Sequence, residues 1–146
     1  MIDPRGQRFA AALTTVVLAV VLITGSPWVL AAQVAVFALA AGAGVTASPY
    51  AQAYSRVVRP RLGPPAELED ARPPRFAQAV GFAFAATGLI ALLAGLTVVF
   101  YIAVTAALVA AFLNAAFGFC LGCEIYLIAR RITSRTTASA PEVTAS

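Results

Sequence analysis

Two cysteines, Cys120 and Cys123, stand at the end of the last long apolar run, in Phe117-Gly118-Phe119-Cys120-Leu121-Gly122-Cys123-Glu124. They are the only cysteines in the chain, which contains no histidine. A C-x-x-C pair at a membrane boundary is suited to thiol redox or sulfur chemistry, because neighbouring thiols can cycle between dithiol and disulfide. On a continuous helix the two lie about 60° apart, near enough for the sulfurs to meet after modest backbone adjustment. Glu124 then falls about 40° from Cys120, and Arg131 returns to nearly the same direction three turns later, giving one reactive stripe. Alternatively, Gly118 and Gly122 break the helix, and a new one beginning near Cys123 favours a thiolate through its N-terminal amides. Asn114, one to two turns deeper, is a polar side chain of the kind that faces a bundle interior or pins helix packing.

Other chemistries find few ligands here. Structural zinc wants four nitrogen or sulfur ligands, and one chain offers two thiols. Residue 124 is Glu, so the haem-attachment pattern C-x-x-C-H is absent. With no histidine and Met1 the sole methionine, haem ligation is poorly served. There is no Gly-rich phosphate loop and no nucleophile elbow. No cofactor is expected. Two small cysteines that merely pack a helix face remain the plain alternative.

The elements that must carry the pair are apolar helices. Hydrophobic residues make up 61% of the 146-residue chain and charged residues 11%, well below the share in soluble domains. Apolar runs cover about 9–25, 28–47, 76–95 and 97–118, the last extending to about 131. Each is close to the length of about 20 residues that crosses a bilayer. All ten basic residues are arginine, and they fall on one side. Arg5 and Arg8 precede the first run. Arg56, Arg59, Arg61, Arg72 and Arg75 lie between the second and third, and Arg130, Arg131 and Arg135 follow the fourth. The connections Gly25-Ser26-Pro27 and Gly95-Leu96-Thr97 carry no charge. The positive-inside rule therefore places both termini and the central loop in the cytoplasm. The net charge of +4 is explained by topology and anionic headgroups, so nucleic acid is not an expected partner. A competing reading makes the first run a signal peptide cleaved near Leu30-Ala31-Ala32.

The octet Asp3-Pro4-Arg5-Gly6-Gln7-Arg8-Phe9-Ala10 aligns with Asp70-Ala71-Arg72-Pro73-Pro74-Arg75-Phe76-Ala77 as D-x-R-x-x-R-F-A. This reads as an internal duplication of two hairpins in the same orientation, although capping plus a membrane anchor would give the same motif. The loop 48–75 holds six of the nine prolines and reads as a connector with a short interfacial helix around 51–58. Its Arg56-Val57-Val58-Arg59-Pro60-Arg61 patch, followed by Glu67, Glu69 and Asp70, is either a headgroup contact or a docking surface for a cytoplasmic partner. The tail 136–146 reads as disordered.

The block Asn114-Ala115-Ala116-Phe117-Gly118-Phe119-Cys120-Leu121-Gly122-Cys123-Glu124-Ile125-Tyr126, with Val58-Arg59-Pro60-Arg61-Leu62 and Pro74-Arg75-Phe76-Ala77-Gln78, resembles a bacterial membrane family catalogued as domain of unknown function 4395. The resemblance runs from about Asp3 to Arg131. It implies a four-helix integral membrane protein and brings no enzymatic activity with it. Members of the family occur near thioredoxin-like proteins and sulfurtransferases, which suits a thiol role with such a cytoplasmic protein as the expected partner.

The expected fold is all-α, with four transmembrane helices as two parallel-repeat hairpins in the bacterial plasma membrane. Small-residue faces such as Ala40-Ala41-Gly42-Ala43-Gly44 permit close packing and a homo-oligomer. The leading functional expectation is a thiol-redox or sulfur-handling protein in which Cys120 and Cys123 cycle, Glu124 tunes proton transfer and Asn114 orders the site. Electron transfer to a quinone would extend that reading. The alternatives are a transporter for a small sulfur species and a non-catalytic scaffold that docks an enzyme through Arg56, Arg59 and Arg61.

Overall fold

A computed structural model describes residues 4–62, 70 and 72–145, with side chains over 5–61, 70 and 72–134. Among the described residues all regular structure is helical. The chain runs α1 (Pro4–Thr24), α2 (Pro27–Gly42), a 3-10 turn (Val45–Ala47), α3 (Pro49–Ala53), a π-helical turn (Tyr54–Val58), α4 (Arg59–Leu62), α5 (Arg72–Leu93), α6 (Thr97–Phe117) and α7 (Leu121–Ala145).

Among the described residues three helices, α1, α5 and α6, are long and apolar enough to cross a membrane. At 1.5 Å per residue, α5 spans about 33 Å, slightly more than a hydrocarbon core. The fourth apolar helix, α2, has 16 residues and is shorter than the run that contains it. It stops at Gly42 because Gly44 takes φ +110, outside the helical region, and Ser48 before Pro49 is held extended at ψ 140. The Ser48 hydroxyl then accepts the Tyr50 N–H at 3.2 Å and starts α3. Much of the loop expected over 48–75 is thus helical: α3, the π turn and α4 fill 49–62, and α5 begins at Arg72.

The long helices pair crosswise. α1 packs chiefly on α6, and α2 on α5, while α5 also lies against α6 and α7. The core between them comprises Leu18, Val21, Leu30, Phe37, Ala85, Phe100 and Val104. Close approach is made by glycines other than those read from sequence. A Cβ on Gly81 would lie 2.8 Å from the Phe37 ring, and one on Gly88 would lie 2.8 Å from Val104 Cγ2. A Cβ on Gly42 or Gly44 would meet nothing within 4 Å, so these two glycines make no close approach, although Ala40 in the same run is buried in the core. Outside the core, Ile23, Trp28, Leu93, Val98 and Phe117 are strongly exposed. So much open apolar surface suits lipid better than water.

Arginines close the helix ends at the opposite side from the tight turns. Arg75 on α5 donates to the carbonyls of Ala41 and Gly42, both at 2.6 Å, at the C-terminus of α2. Arg8 on α1 donates to Ala115 and Ala116 at 3.2 and 3.4 Å, at the C-terminus of α6. Each guanidinium serves orphan carbonyls at the negative end of a neighbouring helix. The ring of Phe9 lies 5.8 Å from that of Tyr54, and that of Phe76 lies 5.5 Å from that of Tyr126.

Candidate functional site

The reactive pair is built by a break in the last apolar run. Gly118 takes φ +67, and its N–H donates to the Asn114 carbonyl at 2.9 Å, closing α6. A side chain at this left-handed position would be strained, which accounts for glycine there. The chain restarts as α7 at Leu121, so the expected break forms, the alternative of a continuous helix does not, and Cys120 leaves the stripe it would have shared with Cys123, Glu124 and Arg131. Instead Cys120 precedes α7 and caps it. Its carbonyl accepts the Glu124 N–H at 3.0 Å, and its Sγ accepts the Cys123 N–H at 3.2 Å. Sulfur here takes the place of a serine or aspartate oxygen at the N-cap, facing the positive end of the helix. The Cα atoms are 5.1 Å apart and the two sulfurs lie within disulfide distance.

The first turn of α7 is pressed against α5. A Cβ on Gly122 would lie 2.6 Å from both Cα and Cβ of Ala77. By sequence alone Gly122 is, with Gly118, one of two candidate helix breakers. It is a helical residue whose missing side chain lets the cysteine turn touch α5. The rings of Phe76 and Tyr126 stack the next turn of α7 onto α5, with the Arg130 guanidinium 6.0 Å from the Tyr126 ring centroid.

Two cavities meet at this turn. A vestibule of about 390 Å³ is bordered by Gln7, Arg8, Asp70, Cys123 and Glu124, together with Cys120 and Asn114. A chamber of about 290 Å³ lies between the helices, walled mainly by alanine and phenylalanine, with Thr14, Gln78 and Asn114 as its polar side chains. Cys120 and Asn114 line both, whereas Cys123 lines the vestibule. The structure therefore brings together Cys120, Cys123, Glu124 and Asn114. Arg56, Arg59 and Arg61 are exposed on the π turn and α4 and do not line either cavity. Glu67 and Glu69 lie outside the described residues.

Sequence reasoning missed Arg8, Asp70 and Gln78 as site-lining residues, although the D-x-R-x-x-R octets held the first two. The Asp70 carboxylate accepts the Arg72 backbone N–H at 2.9 Å and pairs with its guanidinium at 2.7 Å. These bonds favour the charged carboxylate and hold its pKa down to about 2, below the ordinary range. The pair supports the fold above the ordinary carboxylate pKa, and that support is lost as pH falls through about 2. The Asp70 carboxyl carbon, followed by NMR, is expected to titrate near 2, and Arg72→Gln to return it toward the ordinary range. An unshifted Asp70 in the unaltered protein would remove the pair.

Fold and site define an all-helical protein with membrane-length apolar helices and a cysteine pair capping a further helix at their end. The chain belongs to the family described as Domain of unknown function (DUF4395), whose model matches residues 2–131. No curated protein and no solved structure matches it.

Proposed function

We propose that this is a four-span protein of the bacterial plasma membrane that exchanges thiols and disulfides with a soluble cytoplasmic partner through Cys120 and Cys123. The observation that carries the reading is the Cys120 N-cap: a sulfur receiving a helix-terminal N–H, within bonding distance of a second sulfur, beside a vestibule bordered by Arg8, Asp70 and Glu124. A helix N-terminus favours thiolate over thiol, and the thiolate is both the better nucleophile and the better leaving group. A partner thiolate entering the vestibule attacks Cys123 Sγ. The bond to Cys120 breaks, and Cys120 departs as the thiolate its cap stabilises. The partner's second thiol then resolves the mixed disulfide, leaving the partner oxidised and both cysteines reduced. Glu124, on the same wall, is the proton carrier, and Asn114 positions Cys120 from the facing helix end.

The crosswise contacts support two hairpins in parallel repeat. Arg8 and Arg75 hold matching places in the octets, and each closes the second helix of the other hairpin. Phe9 and Phe76 also match, and each stacks on the tyrosine six residues after a helix-capping Ser48 or Cys120. With α2 counted as a short span, the arginine-bearing ends share one side, the cytoplasm by the positive-inside rule.

Acid-quenched thiol trapping in cells with a mass-tagged alkylating reagent tests the exchange. The expected result is a mixed population that oxidises during an oxidant pulse and then recovers. A pair that stays reduced, and is trapped only after denaturation, would make these packing cysteines.

The meeting of the two cavities at Cys120 also favours a second reading, a path for a small sulfur species. Uptake into vesicles that depends on Cys120 would establish it.

A further inference from the structure

We propose that the apolar chamber binds a lipid-soluble quinone and that Cys120 is the sulfur that reduces it. The proposal rests on the thiol-exchange reading and names the electron acceptor of that site.

The chamber has the chemistry of a quinone pocket. Ala106, Ala107, Ala110 and Ala111 give the α6 wall methyl groups up to Asn114, and Phe37 and Phe84 supply aromatic side chains. Such walls leave space for a planar ring and offer it stacking partners. Among them stand the amides of Gln78 and Asn114 and the hydroxyl of Thr14. Amide N–H groups donate to quinone carbonyl oxygens, and amide oxygens accept from the hydroquinone hydroxyls. At the rim, Phe84, Leu121 and Ile125 are exposed apolar side chains at the outer surface of the helices. An isoprenoid tail can leave there into lipid while the ring stays inside.

The two sulfurs are divided in the way such a reaction needs. Cys123 lines the vestibule, with its charged residues Arg8, Asp70 and Glu124, whereas Cys120 lines the vestibule and the chamber together. Electrons can enter at Cys123 from water and leave at Cys120 toward lipid. In the reduced state the Cys120 thiolate adds to the quinone ring. The Cys123 thiol then loses its proton and attacks Cys120 Sγ, forming the disulfide and expelling the electron pair into the ring. The ring takes up two protons, equal in number to those the dithiol gives up, and leaves as hydroquinone. Two electrons and two protons pass from dithiol to quinone, and the partner's thiols restore the dithiol.

The test uses the purified full chain, reduced and placed in lipid nanodiscs, with a short-tailed ubiquinone whose fully substituted ring resists stable thiol adducts. The expected result is loss of quinone absorbance, mole for mole with formation of the Cys120–Cys123 disulfide. Ala110→Phe and the milder Ala106→Leu fill the chamber and are expected to abolish or greatly slow quinone reduction. A rate and equilibrium constant with a glutathione buffer that match those of the unaltered protein show that each variant keeps the folded cysteine turn. A protein that equilibrates with glutathione but is not oxidised by quinone would overturn the proposal. So would filled variants that keep the unaltered quinone rate, since the chamber would then hold only lipid chains. A pair that fails to equilibrate with glutathione would overturn the thiol-exchange reading, and this proposal with it.

Discussion

Gly122→Ala is expected to push the first turn of α7 off α5, lower stability by about 1–3 kcal/mol and abolish rapid thiol exchange. The added methyl would sit 2.6 Å from Ala77 Cα, and that atom belongs to the backbone of a helix locked into the bundle. A flexible side chain could rotate away, but a helix backbone cannot. The neighbouring turn must therefore move, taking the Cys120 cap and Cys123 with it. Unfolding in mixed micelles and the rate of exchange with glutathione measure the two effects. Ala77→Gly in the same chain removes only the Cβ half of the clash, so the double variant is expected to recover in part. Gly42→Ala is the contrast: its methyl meets nothing within 4 Å, and stability should hold or rise slightly. A Gly122→Ala protein with unchanged stability and exchange rate would detach the cysteine turn from α5 altogether.

That glycine marks where sequence reading stopped. The all-helical class and the apolar helices were legible because hydropathy and length decide them almost alone. The cysteine pair was legible because its spacing brings two thiols within reach. The octets pointed to Arg8, Arg75 and Asp70, but their partners lie on other helices, such as Ala115 for Arg8, and sequence holds no trace of that approach. The choice between one continuous helix and a break was also open. Gly118 and Gly122 looked equivalent, yet only the first takes the left-handed conformation, while the second lies inside a helix against Ala77. Which glycine turns the chain and which makes room for a neighbour depends on tertiary packing. The end of α2 at Gly42 was hidden for a similar reason, since the apolar run continues to residue 47 while the backbone turns at Gly44.

The two halves show how a reactive site can arise from a structural cap. Ser48 accepts a backbone N–H and starts the helix that places Tyr54 against Phe9. Cys120 does the same for the helix that places Tyr126 against Phe76. The cap position already presents a side-chain acceptor to unpaired amides at the positive end of a helix. Sulfur in place of oxygen keeps that role and adds redox chemistry. Only the second half carries another thiol three residues on, where the first half has Ala51.

The same cap makes the two cysteines unequal, and single substitutions should expose the difference. With Cys123→Ser, the remaining Cys120 is expected to alkylate rapidly near neutral pH, about tenfold or more faster than Cys123 does in Cys120→Ser. The cause is local: the residue 123 N–H is directed at the Cys120 sulfur, and the opening of α7 adds its dipole. Glu124 opposes this from the first turn of α7, so Glu124→Gln in the Cys123→Ser background should quicken alkylation further. Partner capture should show the reverse order. Cys123 borders the vestibule, where a soluble protein can enter, so Cys120→Ser is expected to accumulate a mixed disulfide after an oxidant pulse when the partner's second, resolving thiol is replaced by serine. Cys123→Ser should accumulate little, because Cys120 lies deeper, where vestibule and chamber meet. Equal alkylation rates in the two variants would remove the cap from the chemistry. Equal capture would remove the division of labour between the sulfurs.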